Sequence, residues 1–342
     1  MSEVRAKKAL GQHFLVDLNI ARKICDALSG GVRPEAGAET RAVAAGSADA
    51  DAETRTRVAG YAGAGAETRA VAAGSADADA ETRRGVAASA DARLAADTTA
   101  AGAPAAAEEE RGGAVPCDVL EVGCGMGVLT QFLLRRGDIT TYGAEIDPES
   151  VEYLHAHFPE FAPRLIEGDF LKMNLRERFP RGLKIIGNFP YNISSQIFFK
   201  VLEHRDLVPE CVGMIQKEVA VRIAEPPGSK EYGILSVLLQ AWYDIEYLFT
   251  VNETVFNPPP KVKSAVIRLR RNSVGRLGCD EALFVKVVKA SFGQRRKMIR
   301  NSLRTVFGDF GGAEHPFFTQ RAEQLSVADF VQLTNWVAAN RK

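Results

Sequence analysis

An open α/β fold, with a parallel sheet and helices on both faces, is predicted by three features of this 342-residue sequence. Apolar strand-like runs alternate with helix-period runs from Asp118 to Tyr191. A glycine-rich turn follows the first of those strands directly. The next three strand-like runs close on an acid, an acid and an asparagine, where a plain turn needs only Gly or Asn. Alternation of this kind builds βαβ units, whose ligands bind in the crevice at the carboxyl ends of the strands.

Taken in order, the N-terminal "MSEVRAKKALGQHFL" carries positive charge but no apolar centre of the kind a signal peptide needs. "LNIARKICDAL" has the spacing of an amphipathic helix. Then Ala36–Arg55 and Ala64–Arg83 repeat the same twenty residues, in a region of Ala, Gly, Asp, Glu, Thr and Arg. Two copies fall short of the roughly three or more units, with an apolar face to stack, that a solenoid needs. Larger apolar residues are too scarce there for burial to offset the entropy of ordering. Residues 33–114 are therefore expected to be a low-complexity insertion, mostly disordered with some Ala-driven helical tendency. It must loop out without separating the helix before it from the strand "CDVLEVG" after it.

"DVLEVGCGMGVLTQFLL" reads as strand, tight turn and helix. Gly123, Gly125 and Gly127 allow a ligand to approach the backbone at a helix N-terminus, although a structural turn would also satisfy such a pattern. Their G-x-G-x-G spacing differs from the G-x-G-x-x-G of dinucleotide binders. "TTYGAEID" is the second strand and ends at Glu145, where a carboxylate commonly accepts hydrogen bonds from a ribose. "PRLIEGDFL" is the third and ends at Asp169, placed to reach an adenine amino group. "LKIIGNFPY" is the fourth and ends at Asn188. Singly, either acid would be a surface or capping residue. Together, and in this order, the four strand ends point to a nucleoside cofactor. Farther on, "MIQKEVAVRIA" and "SVLLQAWYDIEYLF" read as core helix and strand, and Phe198 and Phe199 are expected to pack on the sheet.

The formal charge is zero, but it is unevenly spread. Ala36–Glu110 holds seven basic and thirteen acidic residues, while Lys261–Arg304 holds thirteen Lys and Arg against Asp280 and Glu281. A basic block of that density indicates a polyanionic partner, since a merely solvated helix face mixes both signs. The five cysteines are scattered and form no C-x-x-C pair, which argues against a disulfide framework or a structural zinc site and fits a reducing cytosol. No metal site is expected. With no apolar run long enough for a membrane span, the chain is expected to be a soluble, cytoplasmic monomer with no membrane partner.

The ordered strand ends resemble those of class I S-adenosylmethionine-dependent methyltransferases, and "NFPY" resembles the N/D-P-P-Y-type motif of enzymes that methylate exocyclic amines. More narrowly, the chain is similar to the ribosomal RNA adenine N6,N6-dimethyltransferases that modify the small subunit. The similarity runs through "KKALGQHFL", "LEVGCGMGVLT", "GDFL", "GNFPYNISS", "MIQKEVAVRI", "PGSKEYGILSVLLQ", "FNPPPKVKSAV" and "SFGQRRKMIRNSL". It implies a Rossmann-like class I methyltransferase domain over residues 1–255, with the insertion looped out, and a small helical RNA-binding domain over 256–342. The implied cofactor is S-adenosyl-L-methionine, and the implied partner is small-subunit ribosomal RNA or its 30S precursor particle. Gln12, His13 and Leu15 would close over the cofactor. Gly123 and Gly125 would line its methionine part, Glu145 would hold the ribose, Asp169 the adenine, and Asn188 would touch cofactor and target base alike. The sequence departs from the commonest pattern at His13 (usually Asn), Cys124 (usually Pro), Phe189 (more often Leu) and Lys263 (frequently Asp), without removing a group the chemistry needs. Cys124 is read as a small turn residue rather than a nucleophile.

An exocyclic adenine amine is a weak nucleophile because its lone pair is delocalised, so catalysis must align it and localise that pair. The Asn188 carbonyl and backbone carbonyls near Pro190 can accept the two amine hydrogens, and Pro190 itself fixes φ and presents no N–H. Tyr191 offers a stacking face, worth about 1–3 kcal/mol at comparable sites. Phe256 is expected to supply the opposite face, with core packing as the other reading of either ring. A duplex hides the amine, so the target must be single-stranded, looped or flipped out. Arg295, Arg296, Lys297, Arg300 and Arg304, at helix-compatible spacing, would hold phosphates. Two adjacent adenosines of a small-subunit hairpin are the expected target. A resistance-type methylase of large-subunit RNA and a non-catalytic ribosome-assembly factor stand as alternatives at this point, with a dehydrogenase disfavoured by the glycine spacing.

Overall fold

The computed structural model describes residues 4, 6–7, 10–30 and 116–341, and the insertion expected at 33–114 lies outside the described residues. A short strand β1 (Phe14–Leu15) leads into helix α1 (Leu18–Ala27), capped by Asp17, whose carboxylate accepts from the Asn19 and Ile20 amides. After the insertion come β2 (Cys117–Val122), α2 (Thr130–Leu133), β3 (Ile139–Glu145), α3 (Pro148–His157), β4 (Leu165–Glu167), α4 (Leu175–Arg178), β5 (Lys184–Asn188) and α5 (Ser194–Glu203). The chain continues through β6 (Glu210–Gln216), α6 (Lys217–Ala224), α7 (Ile234–Gln240), β7 (Tyr243–Val251), β8 (Phe256–Asn257) and β9 (Ser264–Arg271). It ends in α8 (Glu281–Gly293), α9 (Ile299–Phe307) and α10 (Val327–Asn340).

Seven strands form one sheet in the order β4-β3-β2-β5-β6-β9-β7. The first five are parallel, and β9 and β7 close the far edge in antiparallel pairing. Strand β2 is buried along its whole length, as a central parallel strand covered on both faces must be. The two-residue alternation of strands divides the core. Ile185, Ile215, Ala265 and Ile267 face the cluster that includes α5, α7 and α8, whereas Ile186, Met214 and Val266 face α1 and α2. This is the α/β sheet with helices on both faces that the sequence predicts.

Two expectations need correction. The domain line drawn at 256 cuts through the sheet, because β9 inserts between β6 and β7; the helical segment starts only beyond Arg271. That segment also shares its core with the sheet: Phe284 and Val288 of α8 and Leu333 of α10 lie in one apolar cluster with Leu239, Trp242 and Leu269. Of the two phenylalanines on α5, Phe198 is buried but Phe199 is exposed with Lys289 over its ring, since adjacent helix positions point about 100° apart. Among the described residues no helix is long and apolar enough to cross a membrane.

The end of α1 is tied to the amino edge of the sheet. Arg136 donates to the carbonyls of Cys25 (3.1 Å) and Leu28 (2.9 Å). Lys184, the first residue of β5, donates to the carbonyls of Ser29 (2.8 Å) and Gly30 (3.2 Å) and pairs with buried Glu210 at 3.1 Å. Burial pushes the Glu210 carboxyl up, but bonds from Ser29 and the charge of Lys184 outweigh it and hold it below its ordinary value. The chain thus leaves toward the insertion, and returns at Cys117, on the edge opposite the carboxyl ends of the strands.

Candidate active site

The carboxyl ends of β2, β3 and β5, with the turn after β4, open into one pocket, and the N-terminal arm closes over it. Gln12, His13 and Leu15, Gly123 and Gly125, Glu145, Asp169, Asn188, Pro190 and Tyr191 all line it. Ten of the eleven residues expected for the cofactor and the chemistry are therefore together; Phe256 is not.

Gly123 (φ +75°) and Gly125 (φ +54°) adopt left-handed backbone that favours glycine. A Cβ on Gly123 would point at Pro190 Cδ, 3.9 Å away, and at the Asn188 carbonyl oxygen, 4.0 Å away. The glycine turn of β2 and the Asn-Phe-Pro-Tyr turn of β5 therefore border the same space. Glu145 is buried. Its Oε2 accepts from the Gly125 amide (2.8 Å) and its Oε1 from the amides of Ile146 (2.8 Å) and Asp147 (2.9 Å). Burial raises this carboxyl above its ordinary value, and the three amide bonds oppose the rise. One lone pair of Oε2 stays open toward the pocket. Asp169 caps the turn Phe170–Lys172 through Oδ1, which accepts from the Leu171 amide at 2.9 Å. Its Oδ2 has only exposed Lys172 nearby, at 3.9 Å, and is left to accept a further hydrogen bond.

Asn188 Nδ2 donates to the His13 carbonyl at 2.9 Å. Since a carbonyl can only accept, the amide orientation is set, and Asn188 Oδ1 is the acceptor presented to the pocket. The Pro190 carbonyl accepts from the Ile193 amide (3.2 Å) and keeps a second lone pair. Tyr191 Oη meets the hydroxyl of buried Ser264 at 2.5 Å, and burial raises the phenol above its ordinary value. Phe189 packs, as expected: it is buried against Phe198, and a Cβ on either Gly187 or Gly213 would strike its ring. Cys124 is buried with its thiol toward the Glu121 carbonyl (3.6 Å), and burial raises its pKa well above the ordinary range, which keeps it neutral and unreactive.

The arm is strapped at three points. Lys7 reaches Asp147 and, at 3.0 Å, Glu149. Gln12 Nε2 donates to Asp147 Oδ2 (3.5 Å). His13 Nδ1 meets the Pro258 carbonyl at 2.9 Å, beside the antiparallel β1–β8 pair. Burial pushes Asp147 up, yet the bonds from Lys7, Ser150 and Gln12 prevail and hold it below its usual range.

Phe256 is corrected from stacking partner to core residue. It pairs with Leu15 in the β1–β8 ladder and is buried among Leu15, Val251 and Val266; the ring near Tyr191 is that of His13, with centroids 5.3 Å apart. The five basic residues also do not share one helix. Arg295, Arg296 and Lys297 lie in the turn between α8 and α9, because Met298 bridges to Arg321 and breaks the helix, while Arg300 and Arg304 lie on α9. Arg300 pairs with Glu314, Arg304 with Asp309 at 2.8 Å, and Arg295 approaches Glu323 at 3.8 Å.

One pocket residue escaped the sequence reading. Glu121, on β2, is buried and accepts from Thr130 Oγ1 at 2.6 Å. Burial, reinforced by Glu145 and opposed by the Thr130 bond, pushes its pKa up to about 8. An acid between Leu120 and Val122 of a buried strand, two residues before Gly123, was the signal available.

The donor set suits a nucleoside bearing a cationic tail: the Asp169 carboxylate with one oxygen left to accept, the buried Glu145 carboxylate, and glycines that leave room for a chain. Compared with known proteins, residues 116–339 match the ribosomal RNA adenine dimethylase family. A protein of Parabacteroides distasonis named ribosomal RNA small subunit methyltransferase A is 61% identical over 218 residues, covering 63% of this chain and 81% of that protein. One of the same name from Porphyromonas gingivalis is 59% identical over 220 residues, covering 63% of this chain and 84% of its own. The crystal structure of a dimethyladenosine transferase from Plasmodium falciparum aligns with a TM-score of 0.54 at 26% identity, over 65% of this chain and 90% of that one.

Proposed function

We propose that this chain, which belongs to the ribosomal RNA adenine dimethylase family, places two methyl groups on the N6 amine of each of two adjacent adenosines in a hairpin of small-subunit (16S) ribosomal RNA. It is an S-adenosylmethionine-dependent methyltransferase of class I fold. The observation that carries the proposal is the shared space between Gly123 and the Asn188–Pro190 turn, flanked by Glu145 and Asp169.

Bound in this pocket, S-adenosylmethionine supplies a methyl group already activated by its sulfonium. Asp169 Oδ2 would hold the amino group of the cofactor's adenine, and the open lone pair of Glu145 Oε2 would accept from a ribose hydroxyl. Gly123 and Gly125 leave the methionine tail room along the turn. On the other side, Asn188 Oδ1 and the second lone pair of the Pro190 carbonyl accept the two hydrogens of the target amine. Two such bonds favour a pyramidal nitrogen whose lone pair faces the glycine turn, which is alignment and electrostatic preorganisation rather than covalent catalysis. Tyr191, its hydroxyl fixed by Ser264, offers its ring to the extruded base. The strapped arm excludes water from this space.

The test is transfer from labelled S-adenosylmethionine to small-subunit particles and, separately, to large-subunit RNA, followed by nucleoside analysis. Dimethyladenosine in the small-subunit RNA is expected. Its absence from both substrates would sink the enzymatic reading, and its appearance only in large-subunit RNA would reassign the target.

A further inference from the structure

The carboxyl edge of the sheet carries a second charged feature, in which Lys217 joins the start of the basic block at Lys261 and Lys263. The β6–β9 ladder ends at the Gln216–Ser264 pair, and the Lys217 amide then donates to the Lys263 carbonyl at 2.9 Å. This bond carries the ladder one step further, from the first residue of α6 to the residue before β9, and brings two like charges close together. Both lysines are exposed, and neither forms an ion pair with a carboxylate among the described residues. Exposed Lys261 stands two residues away, again with no ion pair among them.

Two further observations give this pair a ligand. Lys263 directly precedes Ser264, the residue whose hydroxyl fixes Tyr191, so the charges stand beside the pocket for the target base. Helix α6, which Lys217 opens, also packs through Ala220 and Ile223 into the core shared with α8, α9 and α10. The position is therefore between the catalytic turn and the helical segment. In that segment Arg300 and Arg304 are each paired with a carboxylate, Glu314 and Asp309, whereas exposed Arg296 and Lys297, like Lys217 and Lys263, form no ion pair among the described residues.

We propose that Lys217 and Lys263 form a phosphate-binding site for the RNA strand, holding the backbone next to the nucleotide whose base enters the Tyr191 pocket. The site rests on the RNA-methylating reading above, and it makes this edge of the sheet, rather than α9, the nearest electrostatic grip on the substrate.

The experiment measures the affinity of an end-labelled RNA hairpin, with two adjacent loop adenosines, by fluorescence anisotropy from about 50 to about 200 mM salt. A single-strand phosphate contact contributes about 0.7 to the slope of log affinity against log salt, so Lys217→Gln/Lys263→Gln should flatten the slope by about 1.4 and weaken binding about 25-fold at about 0.1 M. Lys217→Arg/Lys263→Arg should keep the wild-type slope. Binding of S-adenosylhomocysteine serves as the measure of intact folding in each variant. A wild-type slope in the Gln pair, or a slope loss confined to Arg300→Gln/Arg304→Gln, would overturn the site. Wild-type protein that forms no dimethyladenosine in any RNA would instead overturn the reading on which the site rests, so the two failures are distinguishable.

Discussion

Replacing Glu121 by Gln separates the charge of this buried acid from its packing. In the folded chain its pKa is pushed up to about 8 from an ordinary 4.5, with burial as the main cause. The folded state therefore retains a proton that the unfolded chain has lost, and the stability tied to that proton is full below about pH 4.5 and disappears as pH rises through about 8. From about pH 6 to about pH 9 the loss is about 2.5 kcal/mol, since nearly one proton separates the two states over the first two units and each unit is worth about 1.4 kcal/mol. For a chain of this size that corresponds to a fall of about 3–5 °C in Tm. Glu121→Gln keeps an acceptor for Thr130 Oγ1 but cannot ionise, so the component of the Tm–pH profile due to this group should vanish. Thermal unfolding of both proteins across that range, without cofactor, makes the comparison, and the other titrating groups cancel in the difference. If the two profiles run parallel, Glu121 is already ionised in the folded chain and the reasoning from burial is wrong.

Asn188→Ala removes the oxygen assigned to the amine and the Nδ2 bond to His13, and should lower transfer by about 10²–10³-fold, the scale seen when one preorganised polar group is lost from an active site. RNA affinity should stay within a few fold, and unchanged turnover would remove Asn188 from the chemistry. Phe256→Ala should cost about 3–5 kcal/mol as a core truncation, whereas Phe256→Leu should retain most turnover. Loss of turnover in Phe256→Leu at unaltered Tm would restore a stacking role. Deleting residues 36–110 should leave methyl transfer nearly intact, because the chain enters and leaves the insertion at the amino edge of the sheet, where Arg136, Lys184 and Glu210 hold its near end. A large fall in kcat would make the insertion part of the enzyme.

What the sequence revealed, and what it concealed, follows from how each residue is positioned. Glu145, Asp169 and Asn188 were legible because each sits at or just past the end of its own strand, and parallel pairing alone brings those ends to one edge. Phe256 was not, because its environment is decided by a partner 241 positions earlier: pairing of Leu15 with Phe256 turns the ring into the core, and nothing local in "FNPPPKV" encodes that pairing. The same limit hid the insertion of β9 between β6 and β7, a topological choice that moves the domain line past Arg271. Charge shows the limit most clearly. Counting Lys and Arg located the basic block correctly, yet a count cannot tell a cation already matched by Glu314 or Asp309 from one left open. Lys217 lies outside that block in sequence and adjoins it only through the ladder that sets it against Lys263. Electrostatic attraction for a polyanion depends on charges not already neutralised nearby, so the density of a basic segment overstates its grip, and two lysines separated by 46 positions become a stronger site than their surroundings in the sequence would indicate.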